Sequence, residues 1–334
     1  METTTDKLPP RTGDLKFFLA SATRPSQAIA RLFRISLANG SPAHPEEIIM
    51  AIAMFLPGFL VLIALGIFPI INVLTLAFQT RSIFEVHGEW VGLQNFQDML
   101  STPLFWTALK NDIIYTFSAI TFQTLLGMFV ALLLHRNFMG RNFFRGFILL
   151  SYVVPTVASA IIWRFMLSDS VGIIYQWVKV LDLPIPNTWF SATQTAMPTV
   201  ILVTVWKFFP FMVINFLARL QTIDEQLYDA AKVDGANRWQ SFRYITLPSL
   251  MPVIIIVLLL RTIWTFNNWE VIALLTNGGP VDSTTTLPIL VYTTMFSQFS
   301  IGRAASTAFL MMLFLLTAMF FYIRAYNRAE ENLQ

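Results

Sequence analysis

The sequence predicts an all-α integral membrane protein of six transmembrane helices, with a polar cytoplasmic loop between the fourth and the fifth. Three observations carry that prediction. Of 334 residues, 55% are hydrophobic, only 12% are charged and 31 are Phe, a composition outside the range of soluble domains. Six runs, at residues 49–78, 113–134, 143–167, 197–220, 249–276 and 305–326, are long and apolar enough to cross a hydrocarbon core of roughly 30 Å, which takes about 20 helical residues. The basic residues, finally, are divided unequally between the two sides of those spans.

Residues 1–47 read as a cytoplasmic N-terminal segment. They lack both an uninterrupted apolar stretch and a small-residue cleavage site, so the first span is expected to be retained as an anchor. Residues 14–38 mix Lys16, Arg24, Arg31 and Arg34 with Phe17, Phe18, Ile29, Leu32, Phe33 and Ile35. That mixture suits a helix lying on the anionic inner leaflet, and a partly disordered basic tail is the equal alternative. The membrane domain is placed at 48–328, with the loop at 221–248, and 329–334 form a short tail.

One side of the spans collects 15 Lys and Arg: Lys7, Arg11, Lys16, Arg24, Arg31, Arg34, Arg136, Arg141, Arg145, Arg219, Lys232, Arg238, Arg243, Arg324 and Arg328. The other side has 4, at Arg81, Lys110, Lys179 and Arg303. Positive residues stay inside, so both termini are expected in the cytoplasm. The net charge of +3 largely reflects this bias and is no argument for nucleic acid.

The chain has no cysteine, which removes disulfides, thiolate catalysis and cysteine-ligated metals together. His44, His87 and His135 stand in three different connections, so no metal site and no catalytic residue is expected. There is no HExxH, GxSxG or GxGxxG motif, and no phosphate-binding loop. A secondary carrier would use paired carboxylates in mid-membrane and an internal repeat. Only Glu270 falls within a predicted span, near its end, and no repeat is visible. The energy for uphill transport is therefore expected from another subunit.

The loop that follows the fourth span contains YDAAKVDGANRWQSFRYITLP at 228–248. Thr222 and Glu225 have the spacing of a capping box that opens a helix, with Asp224, Glu225 and Asp229 near its positive end. Gly235 closes it. Leu227, Ala230, Ala231 and Val233 give this helix a small-residue face. Trp239, Phe242 and Thr246 give a second helix a bulky one, ended by Pro248. Two short helices around a glycine elbow make a knob that fits a groove on a partner.

At these residues the chain resembles the inner-membrane permease subunits of binding-protein-dependent ABC importers of the carbohydrate type, the maltose and glycerol-3-phosphate permease-like family. The family motif reads EAA, then DGA three residues on, then F, I and LP. Here it stands as Asp229-Ala230-Ala231, Asp234-Gly235-Ala236, Phe242, Ile245 and Leu247-Pro248, with Asp for the usual Glu. The resemblance extends through Leu56-Pro57, Phe68-Pro69, VGLQNF at 91–96, ARLQTI at 218–223, LTNGGP at 275–280 and residues 284–292. It covers most of residues 50–328.

The resemblance implies a type I ABC importer permease, multi-pass in a bacterial inner membrane, that imports a sugar or sugar derivative by alternating access. It implies as partners a second homologous permease, two ATP-binding cassette subunits and a periplasmic or extracellular solute-binding protein. ATP and Mg belong to the ATPase partner, and this chain binds no cofactor. Asp229, Ala230, Ala231, Asp234, Gly235, Ala236, Trp239 and Phe242 are then the surface that docks the ATPase. Gly278, Gly279 and Pro280, in the outer loop at 277–302, face the binding protein.

Arg164, Lys207 and Arg261 fall within spans, where a charge costs roughly 2.5–3.5 kcal/mol on insertion scales unless it pairs or meets water. Two readings stand: cations lining a substrate path, which would suit an anionic sugar derivative, or structural ties. The structural reading is favoured for Lys207 and Arg261. Trp163, Trp206, Trp264, Phe266, Asn267, Asn268 and Trp269 suit sugars, which offer C–H faces to rings and hydroxyls to amides. The candidate path is Trp163, Lys207, Arg261, Trp264, Asn267 and Asn268. Pro57, Pro69, Pro155, Pro210 and Pro252 are candidate kinks.

Overall fold

The computed structural model describes residues 45–168, 170–182 and 188–331. The basic segment 14–38, His44 and the last three residues lie outside the described residues. The chain forms two compact units, Met1–Asn72 and Val73–Gln334.

In the first unit, helix Pro45–Leu62 runs through one π turn, Ile63–Ile67, into helix Phe68–Ala77. Pro69 has no N–H to return to the chain, and the wider π turn, with the Phe68 N–H bonded to the Ile63 carbonyl, absorbs the mismatch just before it. Large apolar side chains from Ile49 to Ile71 are exposed all around this helix, as hydrocarbon contact requires.

The second unit is built on helices Pro103–His135 and Thr193–Leu220. A Cβ at Gly127 would lie 2.4 Å from the Met212 Cβ, so the two backbones approach as closely as glycine permits. One apolar cluster joins Ala131, Met212, Phe216, Leu220 and Leu250, and another joins Tyr115, Ala119, Ala160, Val200 and Ile272. Buried helix contacts of this kind are held by packing and hydrogen bonds, since lipid tails are as apolar as leucine.

Among the described residues, five helices are long and apolar enough to cross a membrane, and a sixth span is a pair, Arg141–Val153 and Thr156–Met166, bent by 92°. Several expected boundaries change. The second span starts at Pro103 rather than at 113, because proline at a helix start needs no N–H partner; it thus takes in Asp112. The third is broken at Pro155, one of the candidate kinks. The fifth spans Arg238–Phe266, so the helix runs on through Pro248, and Glu270 belongs to a separate short helix, Glu270–Leu275.

The outer connections are more ordered than loops. They contain helices Gln94–Ser101 and Ile173–Val180, the largely buried Leu287–Phe296, and a two-residue antiparallel pairing of Gln79–Thr80 with Glu89–Trp90. The last helix, Ile301–Glu331, continues past the expected tail boundary.

Candidate functional site

The elbow between the fourth and fifth spans is held by local bonds. Helix Glu225–Val233 opens on Asp224, whose carboxylate accepts the Gln226 N–H at 2.9 Å. The expected cap at Thr222 is incorrect: its hydroxyl donates to the Arg219 carbonyl at 2.9 Å, finishing the fourth span instead. Gly235 ends the helix at φ +80°. Its N–H reaches the Lys232 carbonyl at 3.1 Å and the Ala236 N–H reaches Ala231 at 2.8 Å, a Schellman closure that favours glycine. The capping box lies one helix later: Asn237 and Gln240 exchange side-chain-to-backbone bonds of 2.7 and 2.9 Å.

From Arg238 the chain turns through a π segment, Phe242–Thr246, directly into the fifth span. That extra residue per turn breaks the expected i, i+3, i+7 face. Thr246 is buried and bonds the Tyr228 hydroxyl at 2.9 Å, tying the elbow to the base of the span. Trp239 is 69% exposed, with its ring 5.7 Å from that of Phe242. Leu227 and Val233 are also exposed, Ala231 and Ala236 half-buried, and Asp229, Ala230, Asp234 and Gly235 exposed. Beside the elbow lies a concavity of about 950 Å³, whose walls include His135, Arg136, Ile223, Tyr228, Trp239 and Phe242.

Within the membrane the candidate cations are engaged by the protein itself. Lys207, 2% exposed, donates to the carbonyls of Ser151 at 3.0 Å, Tyr152 at 3.1 Å and Val154. Arg261, also 2% exposed, donates to Gln123 Oε1 at 2.9 Å and to the Thr265 hydroxyl at 3.3 Å, with its guanidinium 4.5 Å from the Phe208 ring centre. Arg164 donates to the Leu274 carbonyl at 3.3 Å.

The aromatic candidates fall into separate pairs. Trp163 meets Trp206 edge-on at 5.4 Å, and Trp264 meets Phe211 at 5.2 Å. Asn267 donates back to Ile263 at 2.8 Å, while Asn268 accepts the Val271 N–H at 3.1 Å and so caps the short helix Glu270–Leu275.

Sequence reasoning missed a buried polar row on the second span: Asp112, Thr116 and Gln123 are all buried. Their spacings of four and seven residues put them on one helix face, a signal that the residue spacing carries but that placing the helix start at 113 cuts short.

At the opposite end from the elbow, Gly278 takes φ +89° and an added Cβ would stand 2.5 Å from the Thr285 hydroxyl. The Gly278 carbonyl accepts from the Thr285 hydroxyl at 3.1 Å, and Gly279 accepts from Thr284 at 2.7 Å. Asn111 of the second span donates to the Asp282 and Thr285 carbonyls at 2.9 and 3.0 Å. This buckled loop presents Val281, 89% exposed, beyond Pro280. Among the described residues no group of His, Cys, Asp and Glu is arranged to hold a metal.

Membrane-crossing helices, one of them broken, and a polar two-helix elbow between the fourth and fifth spans define a transport-permease architecture. The chain belongs to the family described as the binding-protein-dependent transport system inner membrane component, whose model matches residues 123–329. It is thus a membrane-spanning permease subunit of a binding-protein-dependent ABC importer.

Among its relatives is the inner membrane ABC transporter permease protein YcjO of Escherichia coli K12, 35% identical over 77% of this chain and 87% of that one. The trehalose/maltose transport system permease protein MalF of Thermococcus litoralis is 31% identical over 82% and 93%. The sulfoquinovosyl glycerol transport system permease protein SmoG of Agrobacterium fabrum is 27% identical over 83% and 90%. In fold, the chain matches a chain of a bacterial ABC transporter that imports the acidic polysaccharide alginate, with TM-score 0.75, 22% identity, and 85% and 96% of the two chains covered.

Proposed function

We propose that this permease imports a sugar or sugar derivative handed over by a solute-binding protein, with ATP hydrolysis on two cassette subunits that dock at the elbow. A second, homologous permease completes the path, and both termini lie in the cytoplasm of a bacterial cell whose inner membrane holds the complex. ATP and Mg act on the partner. The observation that carries the coupling is the elbow itself: self-capped at both helices, with Trp239 exposed beside Asp229, Ala230, Asp234 and Gly235. An exposed tryptophan next to a concavity is the kind of anchor that dominates a docked interface.

Relatives named for trehalose/maltose and for sulfoquinovosyl glycerol support a sugar-type substrate. The bonding of Lys207, Arg261 and Arg164 within the protein favours their structural role, and leaves Trp163, Trp264, Asn267 and Asn268 as the candidate path. The buckled Gly278-Gly279-Pro280 loop is the surface assigned to the binding protein. The deciding experiment measures ATP hydrolysis by the reconstituted complex with its binding protein over neutral and anionic sugars of matched size. Stimulation by neutral sugars is expected; stimulation by anions alone would return the cations to the substrate path, and stimulation by none would refute the reading.

A further inference from the structure

The third span is bent by 92° between Arg141–Val153 and Thr156–Met166, with Pro155 at the break. In an unbroken helix the N–H of residue 155 would bond the carbonyl of Ser151, four residues back. Proline has no such N–H, so Ser151 is orphaned, and the turn away from the axis removes the donors that Tyr152 and Val154 would have had. Unsatisfied carbonyls inside a bilayer are costly. All three accept instead from one ammonium, that of Lys207 on the fourth span.

We infer that Lys207 is a positioning residue for translocation: it caps the broken third span from the neighbouring helix and so fixes the bend at Pro155. The inner half of the span then moves with the fourth. The Tyr152 ring packs on Phe208 and Phe211 at 6.4 and 6.2 Å, and Arg145 donates to Leu134 at the cytoplasmic end of the second span at 3.1 Å. The outer half touches the fourth span as well, through Trp163 on Trp206 at 5.4 Å, but packs mainly on the short helix Glu270–Leu275, with Ala160 in one apolar cluster with Val271, Ile272 and Leu275 and with Arg164 bonded to Leu274. Pro155 is therefore the joint between a part of the path continuous with the elbow side and a part continuous with the outer mouth. Lys207 keeps that joint at one angle by filling the hydrogen-bond sites that would otherwise drive the helix to straighten or fray. Its chemistry suits the task, since an ammonium offers three donors and no acceptor.

The transport meaning of this joint rests on the proposed importer function, whereas the bend itself can be tested without it. The chain has no cysteine, so Phe147→Cys and Ile161→Cys, at exposed positions on the two halves, place a pair of spin labels with no background from this subunit, partner subunits being used with their cysteines replaced. With the full complex in nanodiscs, Lys207→Met should shift or broaden the wild-type label distance. It should also lower binding-protein-stimulated ATP hydrolysis about tenfold or more, the scale set by losing charge-assisted bonds to buried acceptors.

Pro155→Ala restores the missing N–H. The double variant Lys207→Met/Pro155→Ala should recover a folded complex with a narrow distance distribution at a longer, straighter separation, yet without stimulated hydrolysis. A Lys207→Met complex with wild-type label distance and stimulation within about twofold would overturn the inference. So would a double variant no better folded than Lys207→Met alone, and this arm decides the matter if the single variant fails to insert. Absence of stimulation in the wild type would count against the importer function, and the label distances would still judge the bend.

Discussion

Two of the chain's sharp turns, at Pro155 and at Gly235, are held by opposite means. At Pro155 the break lies within a membrane span and is closed by a buried side chain from another span, three carbonyls converging on Lys207. At Gly235 the break is exposed and closed by residues within a few positions of it, through the Schellman backbone bonds and the side-chain caps of the Asn237–Gln240 box. The difference follows from solvent. Inside a bilayer no water meets an orphaned carbonyl, so the donor must come from the protein. At the membrane surface water is present, and the elbow needs local caps alone, which leaves its outer face free for a partner. A turn within the membrane sets the relation between helices, and one at its surface presents a shape.

The sharpest separation is in stability. Lys207→Met leaves buried acceptors without partners, each worth about 1–3 kcal/mol, and should lower the thermal midpoint by roughly 6 °C or more at a few degrees per kcal/mol. Gly235→Ala changes only the φ +80° position, where an added Cβ meets nothing within 4 Å. Its cost is about 1 kcal/mol, confined to the elbow. Equal midpoint losses in a thermal-shift series would show that the two turns do not differ in kind.

Coupling should respond the other way around. Gly235→Val adds branching to the same open position, so the protein should insert in the membrane at wild-type level. Binding-protein-stimulated ATP hydrolysis should nevertheless fall about tenfold or more as the elbow loses its angle. Wild-type transport by that variant would remove the elbow from coupling. Trp239→Ala comes next: with the ring mostly exposed the fold should not change, whereas retention of the ATPase subunits on purification should weaken by about 2 kcal/mol, or roughly thirtyfold. Full retention would place the docking surface elsewhere.

Much of this contrast was legible in the sequence, and the parts that were not share a cause. Gly235 and its exposed surroundings could be read because turn chemistry is local: a glycine after a capped polar helix has few other roles. The six spans were legible because hydropathy is a sum over many residues. Boundaries were not: Pro248 reads as a helix stop, yet the helix runs on through it from Arg238, with the wider π turn Phe242–Thr246 just before it taking up the missing N–H. The same limit hid the Thr222 error, because Asp224 competes for the same cap and the geometry alone decides between them. The partners of Lys207 were beyond reach for a different reason. Its role depends on carbonyls some 53–56 positions away in the chain, and only the packed structure brings a charge on one span to a break in another.

The smallest effect tests how far the exposed turn depends on anything but its backbone. Lys232 and Asp229 form an ion pair at 2.7 Å with both side chains 71% exposed. A pair so open to water contributes about 0–1 kcal/mol and less as salt rises, so Lys232→Ala should leave expression, thermal midpoint and stimulated hydrolysis within about twofold of wild type. Asp229 stands at the leading acid of the 229–236 motif, where its carboxylate faces outward beside Ala230. If the carboxylate matters to docking, Asp229→Ala should lower ATPase retention while Lys232→Ala does not, because breaking the pair from the lysine side leaves the acid in place. A loss of tenfold in both variants would mean that the pair acts as a unit against the partner. The elbow would then need a side-chain contact to keep its shape, as the turn at Pro155 does.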